Sequence, residues 1–137
     1  MDHTDKKIIA LLQKDSRLSN KDIGERVHLS GQAVGNRISQ LIERNVIKNF
    51  TISLNYENTQ YIRLFMTDAA FMAVEQAVNQ FEEITSFDKV SGQACYVIVA
   101  HFTLEGLHEF IEIISKWACY SVETTLVDKI CKTENEL

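Results

Sequence analysis

The 137-residue chain has no proline, only five glycines, three cysteines and a single tryptophan. Without proline, interruptions of regular structure fall to Gly, Asn, Ser and Asp, so those residues mark the turns. No apolar run approaches the ~20 residues that a membrane-spanning helix needs. The opening Met1-Asp2-His3-Thr4-Asp5 has neither the basic nor the apolar character of an export signal, and a cytoplasmic location is expected. Cys95, Cys119 and Cys131 are odd in number and lack zinc-type spacing, which predicts reduced thiols buried in the core. Gly-rich phosphate loops, H-E-x-x-H and nucleophile elbows are all missing. His101 and His108 read as satisfied or surface side chains and not as half of a Cys–His pair with Cys95 or Cys119. No catalytic residue, metal or cofactor is expected.

What is present is an uneven distribution of charge. The net charge of −5 divides between a first half (1–50) with nine Lys/Arg against six Asp/Glu and a second (51–137) with five against thirteen. A mildly basic end joined to an acidic one is a hint of a DNA-contacting half and a protein- or ligand-contacting half. An acidic interaction module that binds another protein is the competing reading.

Apolar spacing divides the chain in the same place. Ile8, Leu11 and Leu12 form a helical stripe behind Asp2 and Thr4 as N-cap candidates. Ser19, with Asp22 three residues on, starts a short helix carrying Ile23 and Val27. Ser30 caps a third that turns Val34, Ile38, Leu41 and Ile42 inward, and Asn45 ends it in a left-handed conformation. From Val46 the period changes: Phe50, Ile52 and Leu54 alternate with Thr51 and Ser53, as in a half-buried strand. The polar run 55–60 follows as the best boundary. Beyond it the order is strand (62–67), helix (Phe71 to Phe81), strand (84–90), strand (94–102), helix (Leu104 to Trp117), strand (121–131) and a polar tail. That is the βαββαβ arrangement of ferredoxin-like domains.

The expected fold is therefore α+β, with an N-terminal three-helix (winged-type) helix-turn-helix over 1–50. A strand and linker (51–60) and a ferredoxin-like effector and dimerisation domain (61–137) complete it. Two helices cover one sheet face, and about 75 residues have nothing else for the other, so a homodimer is predicted.

Function is carried by Ile23 to Ile38. Ile23 and Val27 bury one helix, Leu29 plugs a tight turn, Val34 and Ile38 bury the next, and Gly24 sits where a close approach demands a small residue. Gln32, Ala33, Asn36, Arg37 and Gln40 then fall on the outward face. Gln and Asn pair with adenine edges, while Arg pairs with guanine or clamps phosphate. Ser30 at the helix N-terminus suits a backbone phosphate. The predicted partner is double-stranded DNA, read as a pseudo-palindrome by two copies.

Asp2-x-x-Asp5-x-x-Ile8-Ile9-x-x-Leu12, Ser16-Arg17-Leu18-Ser19, Leu29-Ser30, Arg37-Ile38-x-x-Leu41-Ile42, Val46 to Thr51 and Val90-Ser91-Gly92 together resemble the Lrp/AsnC (leucine-responsive, feast–famine) family of transcriptional regulators. The resemblance covers nearly the full length. It implies a recognition helix over Ser30 to Gln40, dimers that associate further, up to an octamer, and a small-molecule effector, an amino acid held between subunits. It assigns Gly92, Gln93, Ala94, Cys95 and Tyr96 to the effector loop. Three positions depart from the family pattern. His28 and Asn45 stand where glycine is usual, and Cys95 stands where the family's Gly-x-x-Asp turn carries its acid. A neutral thiol cannot make a charge-assisted bond to an ammonium group.

Overall fold

A computed structural model describes residues 1–125, 131 and 132. The chain divides into two compact units between Leu54 and Asn55.

The N-terminal unit holds α1 (His3–Lys14), α2 (Asn20–Val27) and α3 (Gly31–Glu43). Its helices begin on side-chain caps that satisfy backbone donors with no partner inside the helix. Asp2 accepts from the Asp5 N–H at 2.8 Å, and the Asp5 carboxylate returns the bond to the Asp2 N–H at 3.4 Å. Ser19 and Ser30 accept from the N–H groups of Asp22 and Ala33 at 3.0 and 3.1 Å. Such caps contribute about 1 kcal/mol each. They matter because the core they supplement is small: Ile8, Ile23 and Val34 are its fully buried members, ringed by partly buried Leu11, Leu12, Leu18, Val27, Leu29 and Ile38.

Two left-handed residues punctuate the unit. His28 (φ 61°, ψ 44°) ends α2, and both its own N–H and that of Leu29 run to the Gly24 carbonyl. Asn45 (φ 59°) ends α3, with Asn45 N–H bonded to the Ile42 carbonyl and Val46 N–H to that of Leu41. Both are helix stops that normally favour glycine. Gly24 is required for a different reason: a Cβ there would sit inside van der Waals contact of the Leu29 carbonyl oxygen. What presses on Gly24 is the backbone of the turn, more than a crossing helix.

The strand expected at Phe50 to Leu54 does not form, and Phe50, Ile52 and Leu54 are 50%, 77% and 59% exposed. Alternation marks a face that wants burial, but a strand also needs a hydrogen-bonded neighbour, and a single copy supplies none there. Ile42 is likewise exposed, on the flank of α3.

The second unit contains β1 (Gln60–Met66), α4 (Phe71–Val78), β2 (Ile84–Lys89), β3 (Tyr96–Ala100), α5 (Leu104–Ile114) and β4 (Ala118–Thr124). The strands pair antiparallel in the order β2-β3-β1-β4. Strand period does the sorting: Ile62, Leu64, Tyr96, Ile98 and Ala100 are buried with Phe110 and Ile114 of α5, while Tyr61 and Arg63 point to the open face. Buried Gln60 imitates a backbone, its amide exchanging bonds of 3.0 and 2.9 Å with the Phe102 carbonyl and N–H. Phe81 lies beyond α4 yet still packs edge-on against Phe102 and Phe110. Leu104, at the first position of α5, is 70% exposed. Residues 126–130 of the expected last strand, and 133–137 of the tail, lie outside the described residues.

The thiols correct the sequence reading. Cys95 is half-buried, and Cys119 and Cys131 are exposed. Cys119 pairs with Phe65 on the open face of the sheet, so its apolar neighbourhood does not enclose it. His101 is satisfied as expected: Tyr56 stacks on its ring, Nδ1 lies 3.2 Å from the Asn58 carbonyl, and Nε2 lies 2.9 Å from the Thr85 hydroxyl.

Overpacking a rigid site costs about 1–3 kcal/mol. Gly24→Ala is therefore expected to lower the N-terminal unit's unfolding free energy by at least that much in urea titrations followed by NMR. His28→Gly, which relieves a left-handed side chain, leaves stability unchanged or raises it. A Gly24→Ala variant of wild-type stability would show that the turn is looser than described.

Candidate nucleic-acid interface and effector loop

Side chains repeat about every 3.6 residues around α3. Val34 and Leu41, both buried, mark its inward side, and Gln32, Asn36, Ser39, Gln40 and Glu43 are exposed. The exposed strip thus offers amide and hydroxyl groups, with the Ser30 cap and the free N–H groups of the first turn at its start. Ala33 is half-buried beside it.

Arg37 sits differently from the outward position read from the sequence. Three residues after Val34 and four before Leu41, it rises on the inward flank of α3, towards α1. Its Nη1 donates to Asp2 at 2.7 Å and to Asp5 at 3.1 Å. The Arg37 side chain is 32% exposed, that of Asp5 only 12%. The hydrogen bond from Arg37, followed by that from the Asp5 N–H, holds the Asp2 carboxyl below its usual value. Reciprocally, the bonds to Asp2 and then Asp5 raise the guanidinium. In the sequence reading Asp2 entered as a cap candidate, and Asp2 and Asp5 together as part of the opening motif that resembles the family. No spacing rule connects residues 2 and 5 with 37, and only the packing of α1 on α3 brings them together.

In the second unit the loop between β2 and β3 is closed by the Val90 N–H on the Cys95 carbonyl at 3.0 Å. The Cys95 N–H on the Leu64 carbonyl at 2.8 Å ties it to β1. Gly92 has φ +143°, a conformation that L side chains rarely adopt, and open space around it. Of the residues assigned to the effector loop, Gly92 and Gln93 reach solvent, Ala94 is buried and Cys95 is half-buried. Tyr96 turns the other way, into the core. Its hydroxyl donates to Glu75 at 2.5 Å, and burial, reinforced by that carboxylate, pushes its pKa up to about 12. The Tyr96 hydroxyl is therefore engaged in the core with Glu75, while Gly92 and Gln93 of the loop are exposed.

A capped three-helix unit with a polar recognition face, followed by a βαββαβ unit, defines a helix-turn-helix DNA-binding regulator with an appended sensory domain. Residues 1–42 match the AsnC-type helix-turn-helix domain and residues 59–137 the Lrp/AsnC ligand binding domain. The chain belongs to the Lrp/AsnC family of transcriptional regulators.

It is similar to the regulator LrpA of Bacillus subtilis (32% identical, covering 92% of this chain and 98% of that protein). It is also similar to LrpB of the same organism (30% identical, covering 89% and 86%). The solved structure of B. subtilis LrpC superposes with a TM-score of 0.85 at 25% identity, over 96% of this chain and 99% of that one. A transcriptional regulator of Neisseria meningitidis, solved with L-methionine, shares the fold with a TM-score of 0.83 at 23% identity, over 100% and 96%. The protein is thus a DNA-binding transcriptional regulator and not an enzyme. No helix among the described residues is long and apolar enough to cross a membrane.

A lowered folded-state pKa means that Asp2 contributes stability above its usual value near 3.8, and that this is lost as pH falls through the lowered one. Carboxyl-carbon NMR is expected to give Asp2 a midpoint below 3.8 in the wild type and a higher one in Arg37→Gln. Equal midpoints would mean that the ion pair does not form in solution.

Proposed function

We propose that this regulator binds a pseudo-palindromic duplex as a homodimer, with α3 of each protomer in successive major grooves. Gln32, Asn36 and Gln40 read base edges, Ala33 offers an apolar contact, and Ser30 with the α3 N-terminus holds a phosphate. The observation that carries this reading is the exposed strip of amide side chains on a capped recognition helix. A merely solvated helix face more often carries Glu–Lys pairs. The acidic charge of residues 51–137 suits a half that faces away from phosphates.

Dimerisation is supported by two apolar surfaces that one copy leaves uncovered. The first is the open sheet face, with Tyr61, Phe65, Val97 and Val99. The second is the segment with Phe50, Ile52 and Leu54. Exposed apolar area of this kind marks association surfaces. Dimers associate further, up to an octamer, as the family resemblance implies. A regulator of DNA with unpaired thiols works in the cytoplasm.

A small metabolite acting at the loop 92–96 tunes the balance between quaternary states through unequal affinity for them. The methionine complex of the N. meningitidis regulator makes an amino acid the first class to test. Cys95 removes the acid from the loop, so wild-type protein takes a ligand without a free ammonium group, or takes none there.

Alanine at both Gln32 and Asn36 is expected to weaken binding to a cognate duplex by on the order of ten- to a hundredfold, with binding to shuffled DNA unchanged. Fluorescence anisotropy on both duplexes measures this. Equal affinity for the cognate duplex would remove these side chains from the interface.

Calorimetry with the standard amino acids is expected to show no tight binding to the wild type and a gain in Cys95→Asp. Tight binding by the wild type would place the ammonium contact elsewhere.

A further inference from the structure

The structure gives Arg37 a role different from base or phosphate contact. Among the described residues its bonds to Asp2 and Asp5 are the recorded ion pairs, and they link segments 32 and 35 residues apart. The carboxylates are themselves fixed, because each also accepts a backbone N–H in the capping box that starts α1. The guanidinium therefore grips a rigid element. Both bonds leave from Nη1, so a phosphate contact would have to draw on the remaining guanidinium N–H groups beside two carboxylates whose negative charge opposes it.

The grip sits where α3 most needs one. The first half of α3 is held by the Ser30 cap and by Val34 in the core with Ile8 and Ile23. Beyond Val34, buried Leu41 and half-buried Ile38 are the inward apolar residues of the helix. Gln40 lies six residues from Val34, about 9 Å along the axis at 1.5 Å per residue. A tilt of ~10° about Val34 would move it by roughly 1.5 Å, outside the tolerance of a preorganised contact.

We propose that Arg37 is a positioning residue: by bridging Asp2 and Asp5 at the start of α1, it sets the pitch of the recognition helix and makes no contact with DNA. This rests on the contact face proposed above. It predicts that removing the carboxylates harms specific binding, although it lowers the negative charge near the DNA. A contacting arginine predicts the opposite sign, since it would be freed.

The test uses the full-length protein and a duplex that the wild type has enriched from a randomised pool, with a shuffled duplex as control. Asp2→Asn/Asp5→Asn keeps the cap, because asparagine caps as well as aspartate, but loses the ion pairs. It is expected to weaken cognate binding by on the order of tenfold, about the worth of one base contact. Shuffled-duplex affinity stays level or rises. Arg37→Lys, which retains charge without the fork, shows the same selective loss and stands as the second variant if the first does not fold. Arg37→Gln leaves the slope of log affinity against log salt unchanged. Tighter cognate binding by the Asn variant, or a slope reduced by about 0.9 in Arg37→Gln, would overturn the proposal and make Arg37 a phosphate contact. Failure of the wild type to enrich any duplex would overturn the contact face itself, together with this role for Arg37.

Discussion

The recognition helix can do its work only because the chain turns so tightly between Val27 and Gly31. Two N–H groups, from His28 and Leu29, converge on the single carbonyl of Gly24, and the Leu29 carbonyl folds back over the Gly24 Cα. That packing leaves no room for a Cβ and directs Ser30 to cap the next helix at once. With so few fully buried side chains in the unit, each apolar residue contributes its roughly 1.5–3 kcal/mol without much redundancy. Turn geometry, caps and the Arg37 bridge therefore share the task of fixing helix orientation, a task that a larger core would perform by packing alone.

The second unit solves a different problem. Its sheet has one face sealed by α4 and α5 over a continuous aromatic and aliphatic core, and one face left open. Polar groups inside are paired individually: Gln60 with the Phe102 backbone, and Tyr96 with Glu75. A buried polar group without such a partner would cost more than the bond returns. The sealed side is thus specified in detail, whereas the open side is apolar without a partner in the same copy. The two sides divide the labour, one holding the domain together and the other available for association.

Most of this was legible in the residue pattern. The two hydrophobic periods, 3.6 and 2, separated the helical unit from the sheet unit, and Asn45 was read as a left-handed end from its position after an apolar helix run, whereas His28 was marked only by the glycine usual in the family there. What failed to show depended on distance along the chain. Arg37 belonged, by residue type, with Gln32 and Asn36. Only the meeting of α1 with α3 reveals that two carboxylates claim it. Phe50, Ile52 and Leu54 alternate correctly, yet alternation says nothing about whether the neighbouring strand belongs to the same copy. Cys119 stands in an apolar stretch, but its parity along β4 puts it on the uncovered face. Residue type and spacing identify what a side chain prefers; its partner comes from topology.

With Arg37 committed to Asp2 and Asp5, the electrostatic basis for DNA binding by one protomer is thinner than its nine basic residues imply. Eight remain, spread over residues 6 to 48 among exposed acids such as Asp22, Glu25 and Glu43. Each neutralised phosphate adds to affinity through counterion release, so a weakly basic protomer begins with little non-specific binding. The amide side chains proposed to read base edges cannot replace that missing attraction. Linking two such readers makes the second binding event intramolecular and raises avidity without any new contact. Weak charge on the DNA-facing unit and uncovered apolar surface after it are thus two sides of one arrangement. One protomer that reads DNA through hydrogen bonds rather than charge would hold it weakly, and that is the physical case for the proposed dimer.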